Sequence, residues 1–198
     1  MSRRMRVPYV VAVLLALAAG APADAQDSQD QEVAGKVRKA LARVPYYGVF
    51  DFLAYKVERG VVTLQGYAHR PALKREAEEA VRRSTSYDVA NAIEVLPTSP
   101  LDDRIRCDAY RRVYTEDFAD RYVSGGAREV GYELFDMSRF PGMEPYGNYP
   151  VHIVVKHRRV TLIGSVISTL DKDALAIRAR QITNASAIDD LVMVRTRS

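Results

Sequence analysis

The chain predicts an α+β fold of two tandem αββαβ units, each a small three-stranded mixed sheet packed against two helices, with an insert in the second unit. Val62-Thr63-Leu64-Gln65-Gly66 recurs as Val160-Thr161-Leu162-Ile163-Gly164, an offset of 98 (164 against 66). A second matched strand follows each glycine, Val89 to Val95 and Ile188 to Val194, at an offset of 99 (188 against 89), so one residue was gained between the matched blocks. Self-similarity at a fixed spacing marks a duplicated unit. Cys107 is the only cysteine, so no internal disulfide or multi-cysteine zinc site can staple the units, and burial must hold them.

The N-terminus sets Arg3, Arg4 and Arg6 before an apolar run from Val10 to Ala19, with Ala23-Asp24-Ala25 as a small-residue cleavage site. This is the layout of a signal peptide over 1–25, and the run falls short of the roughly 20 apolar residues of a spanning helix. The leader holds three arginines and one aspartate, so 26 basic and 24 acidic residues remain in the exported chain. That near balance argues against a nucleic-acid partner. By segment the charge runs +1 over 26–97, 0 over 98–116, −3 over 117–149 and +4 over 150–198. An anionic partner therefore meets the C-terminal unit first.

The first unit spans 26–96. Residues 26–30 read as a polar leader, and from Asp30 the positions Val33, Val37, Ala40 and Leu41 recur at helical spacing until Pro45. Phe50 to Val57 and Val61 to Tyr67 form a hairpin about Glu58-Arg59-Gly60. In its second strand Val62, Leu64 and Gly66 face one way and Val61, Thr63 and Gln65 the other, the alternation of a sheet with one buried face. Pro71 opens a helix lined by Leu73, Ala77, Ala80 and Val81. The strand Val89 to Leu96 closes the unit, and Pro97 to Pro100 is a short stiff linker.

The second unit, 101–198, repeats the order. Leu101, Ile105, Ala109 and Val113 form the inward stripe of its first helix, Val151 to Lys156 and Val160 to Ile167 the hairpin, and Ser168 with Asp171 a capping pair for the next helix. Ile188 to Val194 is the last strand. Between helix and hairpin lies the insert 117–149, with Phe118, Tyr122, Tyr132, Phe135, Phe140, Tyr146 and Tyr149. An ordinary connection is about 4 to 6 residues, so this stretch reads as a packed lid or short helix, or as a partner-binding surface.

The run Gly60-Val61-Val62-Thr63-Leu64-Gln65-Gly66, a following helix, and Val89, Asn91, Ile93 and Val95 resemble the BON domain. Asp102-Asp103-Arg104-Ile105-Arg106, Tyr110 to Tyr114 and Val160 to Gly164 are similar to a second copy, although Arg158 stands where the first copy has Gly60. The resemblance implies a periplasmic, non-catalytic binding module of the bacterial envelope, associated with osmotic stress, envelope integrity and phospholipid surfaces.

The chemistry in the residues agrees. His69, His152 and His157 sit in no metal or nucleophile motif, so no cofactor or metal is expected. Lys156, His157, Arg158 and Arg159 form a basic hairpin tip that suits lipid phosphates, each cation being worth roughly 1 kcal/mol at an anionic surface. The outward face of the helix Leu101 to Tyr114 offers Arg104, Tyr110, Arg111 and Tyr114, aromatic and guanidinium groups that fit an interfacial layer. The expected partner is therefore an anionic phospholipid membrane. The alternative is an envelope protein met through Phe118, Tyr122, Tyr132, Phe135 and Phe140.

Overall fold

The computed structural model describes residues 23–124, 144–146 and 149–195. The apolar leader before Ala23, and Tyr132, Phe135 and Phe140 of the insert, lie outside the described residues.

Helix α1 (Ala23–Leu41) begins earlier than the periodicity from Asp30 suggests, and buries Val33, Ala34, Val37 and Leu41. Strands β1 (Phe52–Glu58) and β2 (Val61–Ala68) pair antiparallel from Phe52↔Tyr67 to Glu58↔Val61. Helix α2 (Pro71–Ser84) has proline in its first turn and buries Leu73, Ala77 and Val81. The expected last strand is split into β3 (Asp88–Asn91) and β4 (Glu94–Val95), both parallel to β2. Asn91 stands at the break. Its side-chain oxygen accepts from Ile93 N at 3.1 Å while its amide donates to Lys74 O and Glu78, a local bond that competes with the ladder.

The second unit starts with α3 (Pro100–Val113), capped by Ser99, whose hydroxyl accepts from Asp102 N. A short α4 (Glu116–Ala119) and a π-helical turn (Asp120–Ser124) follow, and β5 (Glu144–Tyr146) belongs to the insert. Strands β6 (Val151–Lys156) and β7 (Arg159–Val166) form the hairpin, α5 (Thr169–Ala179) follows, and β8 (Ala187–Val194) runs parallel to β7 without a break. Ser168 caps α5 as the sequence suggests, accepting from Asp171 N at 3.1 Å.

Strand alternation sets the layers. In β1, Leu53 and Tyr55 join α1 and α2 in one core; in β6 and β7, Ile153, Val155, Val160 and Leu162 join α3 and α5 in another. The opposite faces carry Phe52 and Ala54 from one sheet and Val154 and Ile163 from the other, which meet in a third core with Leu96. The order is helices, sheet, sheet, helices. One buried face therefore holds for β2, which alternates, and fails for β7, where every residue after Arg159 is buried. Each unit alone is small enough for a marginal core, and stacking the sheets adds apolar burial to both.

The units are also stitched at their edges. Strand β5 pairs antiparallel with β1 through Leu53↔Tyr146 and Tyr55↔Glu144, so the first sheet gains a strand from the second unit's insert. In return Val49, just before β1, enters the second core, and its carbonyl accepts from Ile153 N at 2.7 Å. Gly66 and Gly164 hold equivalent close approaches. A Cβ on Gly66 would overlap the carbonyl oxygen of Phe52, and one on Gly164 that of Pro150.

Candidate functional site

The basic tip is built on a turn with two left-handed residues, His157 (φ 49°) and Arg158 (φ 65°). Neither is glycine, and the conformation costs each about 1 to 2 kcal/mol. Asp102 offsets this from α3: its buried carboxylate accepts from His157 N at 3.0 Å and Arg158 N at 2.9 Å. The first unit uses the same device more lightly. Arg59 (φ 51°) and Gly60 (φ 83°) form its turn, where Asp30 accepts from Arg59 N at 3.1 Å while its other oxygen accepts from Tyr87 and Gln26.

Lys156, His157 and Arg159 line a cavity of about 380 Å³ with Tyr67, Val154, Thr161 and Ser186, so three of the four tip residues share one site. Their charges are largely matched, however. Lys156 pairs with Glu94 of the first unit at 2.6 Å, a hydrogen bond that raises its ammonium pKa, and Arg159 pairs with Asp189 at 2.9 Å. Arg158 donates through Nε to Asn184 O at 3.0 Å. The tip is thus less available to an outside anion than its composition suggests.

On α3, Arg104, Cys107, Tyr110 and Arg111 are exposed together, as expected. Tyr110 is 43% exposed, lies edge-on to Phe50 at 6.2 Å, and with Val49, Phe50, Cys107, Arg111 and Tyr149 surrounds a cavity of about 400 Å³. One guanidinium thus stands beside an aromatic-lined hollow. Among the described residues no carboxylate pairs with Arg104 or Arg111.

Three expectations on this surface are corrected. Tyr114 turns inward: its hydroxyl donates to Val151 O, and burial pushes the phenol pKa far up. Leu101 is 38% exposed, and the inward face takes Asp102 in its stead and also Arg106, 2% exposed, which donates to Asp103 at 2.6 Å and to Val155 O at 2.7 Å. Phe118 and Tyr122, assigned to a partner, are 1% and 3% exposed in the second core. Tyr122 donates to Asp171 at 2.6 Å and accepts from Ile167 N, which pins the start of the insert to the cap of α5. The missed signal was a spacing of four. Tyr110 stacks on Tyr114 at 5.0 Å, Tyr114 meets Phe118 edge-on at 5.5 Å and Phe118 stacks on Tyr122 at 4.5 Å, carrying helical periodicity past the expected end of the helix.

His152 is fully buried where the sheets meet. It stacks on Tyr47 at 5.5 Å, with Phe52 and Tyr149 edge-on. Burial pushes its imidazole down to about 4. His69 is held below its usual value by burial and by Arg106. Among the described residues no group of three or more His, Cys, Asp or Glu side chains is placed to hold a metal ion.

Residues 29–97 match the family model of the BON domain. The chain carries a BON domain. This match covers the first unit and ends before α3, so the likeness of the second unit rests on the repeated geometry of the hairpin turn, the carboxylate beneath it and the close-packed glycine. No curated protein matches the chain. Among solved structures, CdsD, a structural protein of the Type III secretion system of Chlamydia trachomatis, aligns over 85% of this chain at 12% identity and a TM-score of 0.30. The chain spans 65% of that protein's length, and the likeness is too low to carry an argument. No described helix is long and apolar enough to cross a membrane.

Proposed function

We propose that the protein is a non-catalytic, peripheral component of the bacterial envelope that associates with anionic phospholipid through the second unit and contributes to envelope integrity under stress. The observation that carries this reading is the outward face of α3, where among the described residues no carboxylate pairs with Arg104 or Arg111 and Tyr110 flanks an open aromatic hollow. Guanidinium groups hold phosphate in two-pronged hydrogen bonds, and tyrosine settles at the boundary between headgroup and acyl chain. The BON match supports a periplasmic envelope setting, and the basic tip adds a weaker, self-paired contribution.

Co-sedimentation with neutral and anionic vesicles at low and physiological salt tests it. The protein pellets with anionic vesicles only, less at higher salt, and the Arg104→Glu/Arg111→Glu variant stays in the supernatant. Equal pelleting by that variant would remove α3 from the contact, and failure of the parent protein to pellet would overturn the reading.

A further inference from the structure

A second basic surface lies in the first unit. Helices α1 and α2 lie side by side, and between their outer faces runs an open groove of about 520 Å³. Its floor is apolar, formed by Ala40, Val44, Pro45 and Ala80; its walls carry Lys36, Lys39, Arg43 and Arg83 against a single wall carboxylate, Glu76. Alanine on both helices makes the trough, because a larger side chain at either position would fill it. The long cationic stems can lie along that floor with their charges in water.

The charges there are obtainable. Lys36 pairs with Glu32 at 2.8 Å and Arg83 with Glu79 at 3.4 Å, both exposed pairs of the kind that contribute little and exchange readily. Among the described residues no carboxylate pairs with Lys39 or Arg43. Just past Pro45 the chain holds Tyr46 in a left-handed conformation (φ 68°) with its ring 61% exposed. An exposed aromatic, an apolar floor and an excess of cations thus converge at one end of α1.

We propose that this groove binds a monomeric, single-chain anionic amphiphile, its phosphate or carboxylate held by Lys39 and Arg43 and its chain laid over Ala40, Val44 and Ala80. The charge excess selects an anion, and the apolar floor selects one bearing a hydrocarbon tail. A free molecule is chosen over a bilayer on the strength of the membrane reading above. The α1/α2 layer is the opposite outer face from α3 and α5, so a protein docked by α3 turns this groove away from that membrane.

The test is a calorimetric titration of the whole protein with lysophosphatidylglycerol below its micellar concentration, with lysophosphatidylcholine as the zwitterionic counterpart. The expected result is saturable, one-to-one binding of the anionic probe alone. Lys39→Ala/Arg43→Ala weakens it roughly 30-fold, whereas Lys39→Arg/Arg43→Lys retains it. Vesicle pelleting is unchanged by either pair of substitutions. Equal binding of both probes, or no loss in the alanine variant, would overturn the site. Loss of vesicle pelleting in that variant would overturn the free-amphiphile occupant, since the groove would then face the bilayer. A protein that takes up the probe yet never pellets with vesicles leaves the groove standing and removes only the α3 reading.

Discussion

The two hairpin turns solve one problem with different residues. In the first unit Gly60 takes the second left-handed position and Asp30 supplies one hydrogen bond to the turn. In the second, Arg158 stands there and Asp102, sunk beneath the tip, supplies two. A glycine lowers the strain locally; a buried carboxylate offsets it from a neighbouring helix. The second solution ties α3 to the hairpin and leaves a long cationic side chain at the apex. The two units thus share a turn backbone and hold it by different means.

The largest expected effect tests what the units share. Gly66→Ala and Gly164→Ala each place a Cβ on a backbone oxygen, and each lowers the unfolding free energy by about 3 kcal/mol or more, read from urea denaturation. Gly66, at φ 120°, carries a backbone cost as well, so its variant is the worse by roughly 1 kcal/mol. A mild effect at either position would mean that the close approach there is not needed for stability.

The next effect concerns a position where the units differ in chemistry: His152 occupies the place of Ala54 between the sheets. An unfolded imidazole titrates near 6.5 and the native one at about 4. The unfolded chain therefore binds a proton that the native one refuses. Stability is fully present above 6.5 and falls as pH drops toward 4, by about 3 kcal/mol from this group. Asp51, whose carboxyl is raised by burial, acts with the opposite sign above its unfolded value. In chemical denaturation across this range His152→Phe flattens the acid limb; an unchanged slope would show that the limb belongs to other groups.

Smaller again is the cost of losing each turn carboxylate. Asp102→Ala orphans two backbone donors and costs about 2 kcal/mol, while Asp30→Ala costs less, because the one turn bond it makes is exposed. Equal losses would put the value of Asp102 in helix capping rather than in the turn. The smallest effect is a gain: Arg158→Gly relieves a left-handed residue and stabilises by roughly 1 kcal/mol, less the bond to Asn184 O.

Much of the architecture was legible because it rests on local pattern. Alternation in Val61 to Ala68, the spacing of Leu73, Ala77 and Val81, and the Ser168 cap each depend on residues near one another, and each appears in the structure. The candidate site was only half legible. Arg104, Tyr110 and Arg111 are exposed as the helix phase indicates, but Tyr114 turns in to meet Val151 O and Asp102, which holds the hairpin turn, displaces Leu101 from the inward stripe. Hydrogen-bond acceptors far along the chain decided those positions. The basic tip was visible as four residues in a row, whereas Glu94 and Asp189, which match two of its charges, lie in distant strands.

The sequence by itself determined the repeated order of elements and the surplus of positive charge over 150–198, because repetition, periodicity and composition are properties of the chain. Only the tertiary structure decided that the sheets stack face to face, that β5 completes the other unit's sheet, that Phe118 and Tyr122 are core, and that Lys39 and Arg43 share a groove with Ala80. Each of these joins residues far apart in the chain through burial or a ladder bond. No local pattern contains such a pairing, because the energy that selects it exists only once both surfaces are formed.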